Sequence, residues 1–391
     1  MAVLADRMNE LGTETAFEVL ARANALAASG RDIINLGIGQ PDFKTPEHIV
    51  EAAIKALRDG HHGYTPAQGI PELREAVAAD LEVRHGAAVD PGNVLIVPGG
   101  KVTMFFAMLI YGQPGTEIMY PNPGFPIYES AIRFSGATPV PIALREENGF
   151  AFSAAEVLAQ ITDRTRLLIL NSPANPTGGA VDKAEFDALV AGLAAWPKVT
   201  VLSDEIYSQI LYDGRSHVSL LQYPELKDRL IVLDGWSKTY AMTGWRIGFG
   251  IWPEQSVEFA DKIGVNYHSC VNAATQYAAL AATVGDQSCV ENMRVIFKRR
   301  ATLITEKLNN ITGINCQLPG GAFYAFPNIT GLRLASEDIQ TILLEDYGVA
   351  GLAGTAFGHN GEGYLRLSSA NSDELILKAC NMIAKLANSH A

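Results

Sequence analysis

Short apolar runs alternate with longer Ala/Leu/Glu-rich stretches along most of this chain. Runs that short suit strands, and strands joined through helices pair in parallel, so the alternation specifies an α/β fold with a large, mostly parallel (mixed) sheet flanked by helices. The predicted strands are 94–97, 117–120, 138–142, 166–170, 199–202, 230–233 and 246–250. The predicted helices are 46–58, 70–85, 101–109, 183–196, 271–283, 290–308 and 372–387. Five polar loops follow strands: "VPGGK" (97–101), "YPNPGFPIY" (120–128), "LNSPANPTGG" (170–179), "LSDEIY" (202–207) and "DGWSKT" (234–239). Ligands of open α/β sheets gather at the carboxyl ends of strands, so these loops are expected to share one composite site.

Past residue 290 the pattern changes to a long helix, a Pro-Gly break at "LPGGAFYAFP" (318–327), then strand-like and helical pieces. The expectation is two domains: a large α/β domain over 46–289, and a smaller α+β domain from 1–45 plus 290–391. A length of 391 residues with 48% hydrophobic and 18% charged composition allows a substantial core. The net charge of -12, with no basic run, argues against nucleic acid as a partner. No apolar run approaches the roughly 20 residues of a membrane helix. The amino terminus lacks a signal-peptide pattern, and Cys270, Cys289, Cys316 and Cys380 form no CxxC pair. The chain is therefore expected to be cytoplasmic, with reduced thiols and no membrane association.

One lysine stands out in "DGWSKTYAMTGWRIGFG" (234–250). Lys238 has no acidic neighbour in sequence and is flanked by residues expected to be partly buried; desolvation would depress its pKa and favour the neutral amine that Schiff-base chemistry requires. Arg246 follows at a place where a guanidinium could clamp a phosphate. A snorkelling lysine and a surface arginine satisfy the same spacing, so the segment alone leaves both readings open.

"SKTYAMTGWRIG", "NSPANPTG", "SDEIY", "YTPAQGIPELR" and "GYLRLS", in a frame running from "LGIGQPDF" (36–43) to "SANSDE" (369–374), resemble the signature segments of the class I aminotransferases, in the same order. These are fold-type I pyridoxal-phosphate-dependent enzymes related to aspartate aminotransferase. The resemblance implies pyridoxal 5'-phosphate as cofactor, with Lys238 as Schiff-base and proton-transfer residue and Asp204 pairing with the pyridine nitrogen. It implies that Asn175 and Tyr207 hydrogen-bond the phenolic oxygen, and that Phe125 stacks on the ring. Ser237, Arg246 and the backbone of Gly99, Gly100 and Lys101 would take the phosphate; amides opening a helix suit that role. Arg366 would take the substrate α-carboxylate, with Gly39 allowing close backbone approach. Tyr64 matches a tyrosine that reaches the phosphate of a neighbouring subunit, which implies a homodimer with shared active sites.

The implied reaction moves an amino group from an L-amino acid to a 2-oxo acid, 2-oxoglutarate or pyruvate, by a ping-pong cycle. The alternative on the same cofactor is a β-lyase that cleaves a carbon–sulfur bond. Phe125 replaces a tryptophan common in relatives, and Cys270 replaces an asparagine, so the donor stays open among aspartate or glutamate, alanine, arginine and aromatic amino acids. Lys101 is either a contact for a distal substrate carboxylate or a solvated lysine at a helix start. No metal is expected: adjacent His61 and His62 do not converge on one ion. His268 and Cys270 lack an orienting third group, so no nucleophilic pair is expected there.

Overall fold

The computed structural model describes residues 4–389. Its centre is a seven-stranded sheet in the spatial order Val94–Val97, Gly248–Ile251, Leu230–Asp234, Thr200–Asp204, Thr165–Asn171, Glu117–Asn122, Thr138–Ala143. Gly248–Ile251 runs antiparallel to both of its neighbours, and every other pairing among Leu230–Asp234 through Thr138–Ala143 is parallel. The predicted strand at 246–250 thus starts two residues later. Arg246 lies outside it, at φ 53°, immediately after the short turn Thr243–Trp245.

Both sheet faces are covered, which is why the strands read as continuous apolar runs. Side chains alternate between the faces with period two. Leu95, Val97, Leu167 and Ile169 enter one buried cluster with Phe106, Tyr128 and Ile132. Val94, Ile96, Leu168 and Leu170 enter another with Leu73, Val77 and Leu189. A one-residue slip in register would exchange these sets, so packing on both sides fixes the order in which loops emerge at the rim.

A further core joins Ile34 and Leu36 to Ile304, Leu308, Leu365, Leu367 and Ile383. Ile34–Asn35 pairs in parallel with Val349–Ala350, and a small antiparallel sheet has the order Leu352–Ala353, Leu365–Ser368, Tyr324–Ala325. Arg366 sits in the central strand of this second sheet. The helix Thr15–Ala28 buries Val19, Ala23 and Leu26, spaced along one face, against Leu344, Leu352 and Phe357. Burial of Val19 and Leu26 contributes roughly 1.5–3 kcal/mol each. Ahead of that helix, the turn Asp6–Glu10 packs on the helix Ile127–Ser135, and the Gly12 amide donates to Ser130 Oγ at 2.9 Å.

The predicted helices appear with ends moved by a few residues: Glu47–Arg58, Pro71–His85, Lys101–Tyr111, Lys183–Leu193, Ala273–Val284, Ser288–Asn309 and Asp373–Ser389. The helix Glu254–His268 was not predicted, because its buried positions are the small residues Ser256, Ala260 and Gly264, while Phe259, Val265 and Tyr267 face outward.

Candidate active site

Parallel pairing brings the carboxyl ends of the strands to one rim. Asp204 is the last residue of its strand, and Asn175 follows the end of Thr165–Asn171. Lys238 lies on the one-turn helix Trp236–Thr239, directly after Leu230–Asp234. Gly99 and Gly100 connect Val97 to the helix that begins at Lys101. A cavity of about 480 Å³ opens between this rim and the small sheet. Lys238, Asp204, Asn175, Tyr207, Ser237 and Arg246 line it from the large sheet's side, joined by Gly100, Lys101 and Phe125. Gly39 and Arg366 line the opposite wall.

Lys238 Nζ donates to the Gly39 carbonyl at 2.7 Å. Desolvation, followed by repulsion from Arg366 and Arg246, pulls its pKa down to about 8. The amine is therefore far easier to deprotonate than an ordinary lysine. Asp204 is buried; its Oδ2 accepts from Tyr128 Oη at 2.6 Å and its Oδ1 from the Ile206 amide at 3.3 Å. Burial pushes its pKa up to about 6 against the opposing pull of those two hydrogen bonds. Near neutral pH a carboxylate is thus held at the inner end of the cavity.

Arg366 is buried at 4% exposure, and among the described residues it pairs with no carboxylate. Its guanidinium donates to Asn175 Oδ1 at 3.0 Å and to the Gly37 carbonyl, lies 4.7 Å from the ring centroids of Tyr324 and Phe357, and leaves Nε without a partner. An uncompensated buried cation is costly, and an anion entering the cavity would relieve that cost. Gly39 lies close by: a Cβ there would come 2.5 Å from Tyr324 Oη, so only glycine fits. Tyr207 and Tyr324 share a hydroxyl hydrogen bond at 2.7 Å, and burial raises the Tyr207 phenol well above its ordinary value.

A second anion cradle forms at Gly99 to Arg246. Gly99 has φ 95°, and a Cβ on it would meet Arg246 Nη2 at 2.4 Å. Arg246 donates to the Thr243 carbonyl at 2.8 Å and, among the described residues, has no carboxylate partner. The helix Lys101–Tyr111 begins in the same region and turns its positive end there, although its Val102 and Thr103 amides donate to the Gly99 and Gly100 carbonyls at 3.0 Å each. A deprotonatable amine, a buried carboxylate and two separate anion cradles fit pyridoxal phosphate plus a substrate carboxylate.

The model of the family described as aminotransferase class I and II matches residues 31–383. The chain belongs to the class I and II aminotransferases. It is 38% identical over 361 residues to an aspartate aminotransferase of Pyrococcus horikoshii, covering 92% of each chain. It is 36% identical over 394 residues to an aspartate/prephenate aminotransferase of Cereibacter sphaeroides, covering 98% of each. The crystal structure of the aspartate aminotransferase of Rhizobium meliloti superposes at a TM-score of 0.95 with 34% identity over 100% of both chains. The fold is accordingly that of the fold-type I pyridoxal-phosphate enzymes, and the activity is pyridoxal-phosphate-dependent amino-group transfer between an amino acid and an oxo acid. These relatives do not favour the lyase alternative.

Among the residues singled out in the sequence, Tyr64 stands apart from the cavity and is 93% exposed. Lys101 is not simply solvated: its ammonium pairs with Glu14 and lies 5.2 Å from the Phe125 ring centroid. His61 stacks on Tyr277, and neither ring nitrogen of His268 meets a partner, Cys270 included. Among the described residues no His/Cys/Asp/Glu group is arranged to hold a metal, and no helix is long and apolar enough to cross a membrane. Three residues were missed. Tyr128 closes the very loop read as a site segment, but nothing in its spacing marks it as the donor to Asp204. Tyr324 lies in the stretch read only as a Pro-Gly break within the smaller domain, and Glu14 precedes an amino-terminal helix with no motif around it.

Proposed function

We propose that the enzyme runs a ping-pong transfer in which aspartate or glutamate is one amino donor and 2-oxoglutarate an acceptor. The relatives' names and the presence of Lys101 in the cavity support a dicarboxylic partner; the aspartate/prephenate relative supports acceptance of a second substrate class. The observation that carries the reading is the pairing of a depressed amine, Lys238, with a buried carboxylate, Asp204, beneath two anion cradles.

Bound pyridoxal phosphate supplies an aldehyde for the substrate amine and a ring that accepts electrons from the α-carbon. Asp204, oriented by Tyr128, would hold the ring nitrogen protonated. Asn175 and Tyr207 would serve the phenolic oxygen, and Phe125 would face the ring. Ser237, Arg246 and the Gly99–Lys101 backbone would hold the phosphate. Arg366 takes the substrate α-carboxylate beside Gly39. Lys238 would hold the cofactor's aldehyde carbon and, as a free amine, would serve as the base that moves the proton of the substrate α-carbon, a task suited to a group already in place near neutral pH.

The same reading keeps the division into a large domain over 46–289 and a smaller one from 1–45 plus 290–391. It also assigns a homodimer in which Tyr64 reaches the partner's phosphate. Supporting it, Tyr64, Phe259, Val265 and Tyr267 are large apolar or aromatic side chains left at least half exposed in the single chain. Four free cysteines support a reducing, cytoplasmic setting.

The test is a visible-absorbance titration of the cofactor-loaded enzyme with glutamate, aspartate, alanine, arginine and phenylalanine in turn, without acceptor. Conversion of the cofactor spectrum by aspartate or glutamate is expected in the native protein and lost in Lys238→Ala. Full conversion in that variant, or none by any donor in the native enzyme, refutes the assignment.

A further inference from the structure

Substrate side chains must be read somewhere between Arg366 and the cavity mouth. Lys101 faces that space from the large sheet, and its ammonium is paired with Glu14. Glu14 immediately precedes the helix Thr15–Ala28, yet its side chain does not cap that helix. It turns into the cavity instead, where it is 15% exposed, and among the described residues Lys101 is its only hydrogen-bond or ion-pair partner. Phe17, one turn further on, lines the cavity beside it. The chain thus places its own carboxylate on the cation that a dicarboxylic substrate would seek.

Resting on the aminotransferase reading above, we propose that Glu14 is a specificity-determining residue that competes with the distal carboxylate of dicarboxylic substrates for Lys101. With an uncharged substrate side chain, the Glu14–Lys101 pair stays closed, and Phe17 and Phe125 offer apolar surface beside it. A distal carboxylate must displace Glu14, because both carboxylates seek the same ammonium and the largely buried Glu14 has no other partner among the described residues. The displacement is sterically simple. Glu14 belongs to the segment that lies over the helix Ile127–Ser135, held there in part through Gly12 and Ser130, so it can swing from Lys101 without disturbing a sheet strand. One pocket can thereby serve both substrate classes, with a built-in handicap on the dicarboxylic one.

The test uses the cofactor-loaded enzyme and two unreactive carboxylates, succinate and 3-phenylpropionate, with dissociation constants measured by calorimetry in the native protein, Glu14→Gln and Glu14→Ser. Removing the competing charge is expected to tighten succinate by roughly tenfold or more, while 3-phenylpropionate changes by less than about twofold. The ratio of kcat/KM for aspartate over phenylalanine should rise in parallel. A merely structural Glu14 would shift both ligands together, and that result, or unchanged succinate affinity in both variants, overturns the inference. If the native enzyme converts neither aspartate nor phenylalanine, the transfer reading itself fails and this inference falls with it.

Discussion

Tyr128→Phe isolates the link between Asp204 and its one side-chain donor among the described residues. The hydroxyl donates to Asp204 Oδ2 at 2.6 Å in a fully buried setting, and the ring packs edge-on against Phe125 at 5.8 Å, a contact that phenylalanine keeps. A hydrogen bond to an ionised acceptor contributes about 1.5–3 kcal/mol. Its loss falls mainly on the carboxylate, so the Asp204 pKa rises, by about one to two pH units at ~1.36 kcal/mol each. Asp204 starts at about 6. At pH 7 the native side chain is then about nine-tenths ionised, whereas the variant is between about half and a tenth ionised. The assay is the affinity of the apoprotein for pyridoxal phosphate from pH 5.5 to 9, followed by quenching of protein fluorescence. The ligand's own ionisations are common to both proteins, so the difference reports Asp204. The variant should bind about two- to tenfold more weakly at pH 7 and converge on the native protein near pH 9. Superimposable pH profiles would show that Tyr128 does not set the charge of Asp204.

Two further perturbations probe other parts of the frame. Gly99→Ala forces a Cβ to within 2.4 Å of Arg246 Nη2 at φ 95°; with a left-handed backbone cost of ~1–2 kcal/mol added, pyridoxal phosphate should bind at least about tenfold more weakly. Pyridoxal without its phosphate should be little affected, and equal losses for both ligands would detach Arg246 from the phosphate role. Glu205 is pushed up by burial, but His217 at 2.8 Å and its other hydrogen bonds outweigh that and bring it down to about 2. The stability it contributes is present above the ordinary glutamate range and is lost as the pH falls toward 2. Glu205→Gln should therefore lower stability near pH 7 by about 1–3 kcal/mol, with the gap in urea midpoints closing at low pH; a gap equal at pH 3 and pH 7 contradicts the assignment.

How much of this was legible in the sequence depended on whether a residue's role is carried by local pattern. The strands 94–97 and 230–233 were found because both their faces are buried, leaving unbroken apolar runs. The helix Glu254–His268 was not, because close packing selected Ser256, Ala260 and Gly264 for its inner face and left its large residues outside. Lys238, Asp204 and Arg366 were singled out through motifs, and the fold brings Arg366, from a separate sheet, to the cavity that holds the other two. Tyr128, Tyr324 and Glu14 act through contacts across 76, 117 and 87 residues of chain. Pairings of that range leave no trace in local spacing, and they are the ones that tune charge in the cavity.

The amino-terminal segment touches the cavity from outside the sheet, contributing Glu14 and Phe17, while Lys238 and Asp204 stand on the rim. Chemistry and taste are thus housed on separate pieces of backbone. On the proposal above, exchanging Glu14 would alter which amino acid is welcome, and it would reach Lys238 only as one of the lesser charges acting on it, behind desolvation and the two arginines. A lineage built on this plan could change diet by drift at its leading edge while the residues of the rim stay in place.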